Sequence, residues 1–525
     1  MKQPSKDLTQ GSLWKNIFVF SIPLMLSNVL QVLFNMSDIA VVGRFAGPLA
    51  LGSVGSTAIL VTMFTGFLIG LAGGINVLTA LYLGAGKKQA LSHTVHSALI
   101  VSICSGLALL LFGICFARPV LEILHTKEEL IDGSVLYLRI YFLGMPALAV
   151  YNCGNAIFSA DGDTARPVRY LLLAGVLNVI MNLFFVVICK MDVAGVATAS
   201  AISQYVSAGL ILRDLFCINT DYRLHLSKLR PDPSKTIDIL KIGIPSGLQN
   251  AIFALANLFV QVGVNSFSAT MVAGNSAAAN SDGLIYDVMA AIYTACASFM
   301  SQNLGAGKRD RVLKSYLISL LYSFGIGGAM GLLLVIFGKQ FLSLFTADPE
   351  VITAGLKRLT IMGFSYGVSA FMDCTIAASR ALGKSLVPMF IVIMGSCVFR
   401  VVWVYTVFAY FKTIPSLYLL YVFSWTITAI AEIIYFLHVY RGIFPKANAV
   451  ACSDHIRSAS KHCIYPKNLQ IPSAASSVGC RRYFFTLNLL PAASFRCIKC
   501  MATKKHRKQL FSHSRCLLFI IILTD

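Results

Sequence analysis

Long apolar runs alternate with short polar breaks along the chain up to about residue 440. A helix needs roughly 20 apolar residues to cross the hydrocarbon core of a bilayer. Reading each run up to its bounding Gly, Pro or charged residues predicts twelve such helices. Their approximate bounds are 17–39, 51–80, 95–116, 134–158, 168–189, 193–213, 242–265, 282–303, 315–337, 359–379, 387–410 and 416–438. We therefore predict an all-α polytopic membrane protein.

The first six predicted spans repeat in the second six. The sequence LGAGK at 83–87 returns at 304–308, an offset of 221 residues, and Ile22-Pro23 returns as Ile244-Pro245 at an offset of 222. A consistent offset indicates a duplicated structural unit. Because each unit has an even number of spans, both enter the membrane from the same side, and transporters built from parallel repeats bind substrate between them. The pattern predicts two pseudo-symmetric six-helix lobes.

The boundaries of these units follow from the loops. We predict an N-terminal lobe over 1–218, a cytoplasmic linker over 219–241 and a C-terminal lobe over 242–446. Pro231 and Pro233 in the linker discourage a continuous helix. Residues 447–525 are basic, contain six cysteines and include no apolar run long enough to span a membrane. We expect this tail to lie outside the fold, and its removal to leave transport intact.

Composition supports a membrane location. Hydrophobic residues make up 57% of the chain and charged residues 12%, with a mean hydropathy of +0.75. The formal net charge is +21, but the basic residues stand in short clusters between apolar runs, so a nucleic-acid partner is not expected. Their excess in the loops on the N-terminal side predicts that both termini are cytoplasmic. We expect a multi-pass protein of the cell membrane that acts as a monomer.

The first predicted span carries a polar stripe. Asn28, Gln31, Asn35 and Asp38 are spaced by three, four and three residues, which places them on one side of a helix. Charged groups inside membrane spans are costly and usually face a cavity or a partner. We expect Asp38 to bind a coupling ion and the three amides to line the substrate cavity, although helix–helix hydrogen bonds are a common alternative role for intramembrane amides.

Two further amide pairs lie in the fourth and fifth predicted spans. Asn152 and Asn155 are three residues apart, and Asn178 and Asn182 are four apart, so each pair shares one helical side. Together with Asp38 they would form a cage of oxygens suited to a small hard cation, or a polar site that changes the proton affinity of a carboxylate. Both alternatives would couple ion flow to movement.

The second half carries acids at other positions. Asp282 and Asp287 are predicted to open the eighth span, and Arg400 lies inside the eleventh. We expect Arg400 to form a structural ion pair with Asp373 or another acid. The residues predicted to line the substrate cavity from this half are Gln249, Asn257, Asp287 and Asp373, with Glu432 as a further acid in the twelfth span.

Several of these motifs are similar to those of the multidrug and toxic compound extrusion (MATE) family of bacterial type. The resemblance rests on MSDIAVVG at 36–43, both LGAGK turns, SQNLGAGK at 301–308, GDTARP at 162–167 and the pair Asn178 and Asn182, in order over residues 10–445. It implies a two-lobed exporter that uses sodium or proton entry to expel amphipathic, often cationic drugs, and hence a role in antibiotic resistance. No cofactor is implied besides the coupling ion.

The resemblance also assigns roles. The family's first-helix acid falls on Asp38, and its polar partners fall on Asn152, Asn155, Asn178 and Asn182. Some relatives have a second acid where this chain has Asn182, which favours sodium, bound by Asp38, Asn178 and Asn182, over a proton shared by two carboxylates.

Two other functions remain as alternatives. A flippase for a lipid-linked saccharide shares the fold of this superfamily, but it needs a cationic central cavity, and the spans offer Arg400 alone. A polytopic membrane enzyme would need a catalytic constellation of His, Cys or Ser, which we do not find. The LGAGK turns lack the spacing and the Ser or Thr of a P-loop, so no ATP site is predicted.

Overall fold

The computed structural model describes residues 7–444, which fold into α-helices joined by short connections. The helices are α1 Leu13–Phe45, α2 Gly47–Gly84, α3 Lys88–Ile123, α4 Glu128–Leu143, α5 Met145–Ala160, α6 Ala165–Ile188, α7 Asp192–Cys217, α8 Pro233–Asn265, α9 Ala269–Gly305, α10 Arg309–Ser343, α11 Pro349–Ala381, α12 Leu386–Phe411 and α13 Ile414–Ile443. Within 7–444, 11 helices are long and apolar enough to cross a membrane, or 12 if the bent pair α4–α5 is one span. The predicted all-α membrane fold is confirmed. The predicted tail, 447–525, lies outside the described residues.

The fourth predicted span is a broken helix. Its two parts, α4 and α5, meet at Gly144 with a bend of 45°. Pro146 stands in the first turn of α5, where its missing N–H and its ring prevent a straight continuation of α4. Counting apolar residues shows where such a span lies but not that it bends.

Three helices, α8, α9 and α11, begin well before the predicted positions, and α11 starts at Pro349 instead of 359. α8 starts at Pro233 instead of 242, because Asp232 caps the helix by accepting from the backbone N–H of Ser234, and proline suits the first helical position. α9 starts at Ala269 instead of 282, so Asp282 and Asp287 lie within the helix rather than at its start. Residues 269–281 are mostly small or weakly polar, and therefore an apolar-run criterion misses this helical segment.

The repeated glycines have a backbone reason. The second glycine of each LGAGK turn, Gly86 and Gly307, has φ of +63° and +69°. Gly162 and Gly383 are likewise related by an offset of 221 residues and have φ of +89° and +74°. Such backbone conformations are strained for residues with a Cβ. The repeat therefore preserves the turns that reverse the chain between spans.

The two halves meet along α1 and α2 of the first and α8 and α9 of the second. α2 and α8 approach each other at glycines: a Cβ on Gly74 would lie 2.8 Å from the backbone nitrogen of Gly243, and one on Gly70 would lie 2.6 Å from the Cα of Gly247. Neither backbone can move away without separating the helices. Small residues allow this close approach, as is common between membrane helices.

This contact predicts opposite effects for two neighbouring glycines. Gly74→Ala should destabilise the protein by about 1–3 kcal/mol, because its methyl group collides with α8. Gly73→Ala is the matched control, since a Cβ there has no neighbour within 4 Å and alanine favours the helix. Thermal stability in detergent, measured by the loss of monodisperse protein on size exclusion, should fall for Gly74→Ala only. Equal stabilities of the two variants would contradict the contact.

One end of the bundle, which we call the base, carries both LGAGK turns and residues 7–12. The backbone N–H of Leu8 donates to Gln302 Oε1 at 2.9 Å, and the Lys308 ammonium donates to the Thr9 carbonyl at 2.8 Å. Arg311 donates to the carbonyls of Gly11 at 2.9 Å and of Leu8 at 3.3 Å. The N-terminal segment of the first half is thus bonded to the second half at the base.

Candidate functional site

The carboxylate of Asp38, on α1, lies among polar groups from α6 and α7. Asp38 Oδ1 accepts a hydrogen bond from Asn182 Nδ2, and Asp38 Oδ2 accepts one from Ser200 Oγ at 3.1 Å. Asn182 Nδ2 also donates to Asn178 Oδ1 at 3.2 Å, and Asn178 Nδ2 donates to Ser200 Oγ at 3.3 Å. We call Asp38, Asn178, Asn182 and Ser200 the Asp38 cluster.

Local structure explains why these side chains meet. Asn178 and Asn182 are one helical turn apart on α6, and α1 packs against both α6 and α7. Gly175, one turn before Asn178, lies directly against the ring of Phe34, so that α1 and α6 are in close contact just below Asp38. Directly after Asn182, α6 widens into a π-helical turn over Phe184–Ile188, a feature often found at functional sites.

The electrostatics of this cluster are unusual for a membrane helix. No ion pair within 4.0 Å joins Asp38 to a basic residue in the part of the chain that the structure describes. Its neighbours are instead amides and hydroxyls, and Tyr137 and Tyr141 lie close enough to interact with its charge. A carboxylate in a low-dielectric region is stabilised by a bound cation or by a proton. The cluster therefore offers a place for a small positive ion.

The oxygens present fit such an ion. Asn182 Oδ1 is buried and has no hydrogen-bond partner among residues 7–444, and it belongs to the amide whose nitrogen donates to Asp38. Carboxylate, amide and hydroxyl oxygens are the ligands that hard cations prefer. The predicted combination of Asp38, Asn178 and Asn182 is thus brought together by the fold, with Ser200 in addition.

The other predicted amide pair is not part of this arrangement. Asn152 on α5 is buried, and its amide nitrogen has no hydrogen-bond partner in the described part of the chain. Asn155 is half-buried. Within 7–444, neither residue hydrogen-bonds to Asp38, so their role in coupling stays a prediction.

The stripe on α1 divides between two environments. Asn28 donates to the backbone carbonyl of Asp287 on α9 at 2.7 Å, so this end of the stripe contacts the second half. Gln31 is half-buried and Asn35 is exposed. Asp38, at the other end, faces α6 and α7. The same side of α1 therefore contacts α9 at one end and α6 and α7 at the other. Helical periodicity places these residues on one side but does not show which helix each of them contacts.

A buried ion pair in the second half was not predicted. Arg358 on α11 is 4% exposed and pairs with Asp282 on α9. Tyr366 also donates to Asp282, and Arg358 donates to the backbone carbonyl of Asn275 at 3.0 Å. Asn275 Oδ1 accepts from Tyr418 at 2.7 Å. This network joins α9, α11 and α13.

The ion pair predicted for Arg400 is wrong. Within 7–444, no ion pair within 4.0 Å involves Arg400, which is 2% exposed. Its guanidinium donates to Asn257 Oδ1 at 3.0 Å and lies 4.5 Å from the ring centroid of Tyr421, with Phe253 and Trp425 also within 6 Å. Aromatic faces attract a cation through the ring quadrupole. An aromatic cage and an amide thus replace the carboxylate.

Other acids of the second half are buried near Arg380. Arg380 donates to Gln249 Oε1 at 2.8 Å and interacts electrostatically with Asp373 and Glu432. Glu432 is 0% exposed, and neither of its carboxyl oxygens has a hydrogen-bond partner in the described residues. Gln249 and Asn257, predicted to line the cavity, are thus engaged with arginines, while Asp287 is half-buried.

Sequence reasoning missed Ser200 and Arg358. Ser200 stands in a run of small residues in α7, where one serine carries no distinguishing signal. Arg358 lies just before the predicted tenth span, at a position that suggests a solvent-exposed charge. Noticing that 269–281 continues α9 would have aligned Asn275 and Asp282 on one face, two turns apart, and indicated a partner for them.

The model of the MatE family matches residues 23–184 and 245–406, once in each half. Together the two matches cover more than half of the chain. This chain belongs to the MatE family. The two matched segments start 222 residues apart, which is the offset of the internal repeat. As a MatE protein it is a membrane transporter for small molecules and not an enzyme.

Similar proteins carry names that agree with this assignment. The chain is 29% identical over 387 residues to the probable multidrug resistance protein YpnP of Bacillus subtilis, covering 73% of this chain and 86% of that protein. It is 23% identical over 384 residues to a FAD transporter of Shewanella oneidensis, covering 72% of this chain and 83% of that protein.

The MatE fold is also found among solved structures. A structure described as the outward-facing conformation of a multidrug resistance MATE family transporter of the MOP superfamily matches with a TM-score of 0.78 and 22% identity. The match covers 84% of this chain and 99% of that one. At this identity the comparison establishes the fold alone.

Proposed function

We propose that this chain is a secondary active antiporter that exports amphipathic, often cationic compounds, driven by an ion that binds the Asp38 cluster. The observation that carries the proposal is a membrane-embedded carboxylate that accepts hydrogen bonds from one amide, Asn182, and one hydroxyl, Ser200, with no basic partner within 4.0 Å in the described part of the chain. Binding an ion there changes the charge of the first half.

We propose sodium as that ion. Asn178, Asn182 and Ser200 form one hydrogen-bonded cluster with a single carboxylate, and each carries a neutral oxygen of the kind that a monovalent hard cation prefers. Asn182 carries an amide and so provides no second titratable carboxyl at this position. A proton would use Asp38 alone and would leave the buried Asn182 oxygen without a partner.

We propose that residues 1–218 and 242–446 act as two lobes that alternate access to a site between them, connected by 219–241. The hydrogen bonds between the N-terminal segment and α9–α10 support a conformation that is closed at the base. The excess of basic residues at that end supports placing it, and both termini, in the cytoplasm. We therefore interpret the conformation as outward-facing.

Transport assays in proteoliposomes test this function. Purified protein should expel a fluorescent lipophilic cation when an inward sodium gradient is imposed, and an inward proton gradient of equal size should drive it much less. Efflux driven by a proton gradient but not by a sodium gradient would show that the coupling ion is a proton. Transport unaffected by either gradient would refute the antiport mechanism.

A flippase for lipid-linked sugars is disfavoured by the environment of Arg400. A cationic cavity for pyrophosphate requires an accessible guanidinium, whereas Arg400 is bonded to Asn257 and surrounded by aromatic rings. Flipping of a fluorescent pyrophosphate lipid by the same proteoliposomes, without gradient-driven cation efflux, would favour this alternative.

Opening of the base should depend on Arg311. Arg311→Ala removes hydrogen bonds to three carbonyls of the N-terminal segment, so the population open at the base should rise about tenfold. Labelling of a cysteine introduced at Ser298, inside the base, by a membrane-impermeant maleimide reports this opening when the 14 native cysteines are replaced by alanine. Lys314→Ala, one turn along α10 and exposed, is the control and should not change the labelling rate. An unchanged rate in Arg311→Ala would show that these bonds do not hold the base closed.

A further inference from the structure

A cavity of about 1060 Å³ opens at the base, between the first turns of α3 and the segment 218–232 that joins α7 to α8. It is separate from the Asp38 cluster, and the proposed function does not use it. The charged and imidazole side chains that line it are Lys88, His93, His96, Asp221, Arg223, His225, Lys228, Arg230 and Asp232.

Both acids of this cavity already have partners. Asp221 pairs with Lys88 at 3.2 Å, and Asp232 pairs with His93 at 2.8 Å. Asp232 also caps α8. Within residues 7–444, no ion pair within 4.0 Å involves the other three cations, Arg223, Lys228 and Arg230. The cavity therefore presents net positive charge.

The wall that carries these cations is held in place. The backbone N–H of His225 donates to His96 Nε2 at 3.0 Å, and that of Asp232 donates to Ser97 Oγ at 3.0 Å. Leu224, directly before His225, is buried in the core of the first half. Arg223 is itself oriented by donating from Nε to the Phe216 carbonyl at 2.8 Å. The backbone that carries the cations and the Arg223 side chain are thus positioned before any ligand arrives, which lowers the entropic cost of binding.

We propose that this cavity binds a phosphate group, supplied by the headgroup of an anionic phospholipid in the leaflet next to the base. Two guanidinium groups and an ammonium match the geometry and charge of a phosphate. Basic pockets beside membrane helices bind such headgroups. Leu226, on the same turn as Lys228, is 75% exposed, and an apolar side chain beside the cations suits a lipid better than a soluble ion.

The cations that follow the second LGAGK turn have another use, and they are not the repeat equivalents of the linker cations Arg223, Lys228 and Arg230. After the second LGAGK turn, Lys308 and Arg311 are bonded to carbonyls of the N-terminal segment, and Asp310 stands in the first turn of α10. The first turn of α3 contains no acid. The duplication has thus left one glycine turn bonded to protein and the other facing an open basic cavity.

Native mass spectrometry of the delipidated full chain tests the proposal. Phosphatidic acid, phosphatidylcholine, and inorganic phosphate are titrated separately. The wild type should bind phosphatidic acid in preference to phosphatidylcholine. The triple variant Arg223→Gln, Lys228→Gln and Arg230→Gln should bind phosphatidic acid about 100-fold more weakly. The control, Lys241→Gln with Lys314→Gln and Lys384→Gln, removes the same charge from exposed positions outside the cavity lining and should bind as the wild type does.

Each result decides one part of the proposal. Equal loss in the two triple variants would mean general attraction to a basic surface and would overturn the site. Binding of inorganic phosphate, without binding of phosphatidic acid and with the same dependence on the cavity cations, would overturn the lipid source and retain the phosphate. Size exclusion checks folding, and Lys228→Gln alone, on an exposed side chain, should weaken binding about fivefold if the triple variant aggregates.

Discussion

The Asp38→Asn variant should insert and fold like the wild type yet lose sodium-driven efflux by at least about tenfold. Asparagine can still bond to Asn182 and Ser200, so folding is retained. The charge that would distinguish an ion-bound state from an empty one is removed, and an ion shifts an equilibrium only by its differential affinity for the two states. Efflux rates in proteoliposomes at matched protein content measure the effect.

The control for Asp38 is Asp132→Asn, which removes a carboxylate from an exposed ion pair with Arg118 in the same half. Surface pairs contribute little, so its efflux should equal that of the wild type. Asn182→Ala and Ser200→Ala should reduce the response to sodium by smaller factors, because each removes one ligand of several. Wild-type efflux in Asp38→Asn would show that the cluster only packs helices and that coupling lies elsewhere.

The second large effect should follow from Asp282→Asn, which leaves the buried guanidinium of Arg358 without its counter-charge. We expect destabilisation of about 2–4 kcal/mol, less than the roughly 3–5 kcal/mol of a fully buried pair, since the Asp282 side chain is 32% exposed and solvent screens part of its charge. The retained bond from Arg358 to the Asn275 carbonyl compensates only partly. Thermal stability of the purified protein in detergent measures the change.

A double variant separates this mechanism from loss of packing. Asp282→Asn combined with Arg358→Leu removes both charges, and replacing a buried pair by apolar groups is often neutral. The double variant should therefore be more stable than Asp282→Asn alone. If instead the two substitutions add their separate losses, the ion pair is not the source of the effect.

What the sequence by itself determined about this protein is local. The length of an apolar run that spans a membrane is set by the thickness of the hydrocarbon core and by the helical rise per residue. The twelve predicted spans therefore correspond to helices of the structure. A turn that needs positive φ requires glycine at that one position, whatever the rest of the fold. The sequence repeat therefore identifies Gly86 and Gly307 as turn residues. Asn178 and Asn182 could be grouped because both lie on one helix.

Only the tertiary structure decided which polar groups meet across helices. The depth and rotation of α1 against α6 and α7 select Ser200 as a partner of Asp38 and leave Asn152 out of that cluster. The early start of α9 aligns Asp282 with Arg358, and the aromatic cage of Arg400 comes from α8 and α13. These contacts join residues 21 to 162 positions apart in the chain. Periodicity gives the face of each helix but not its partner, because the partner depends on how all helices pack together.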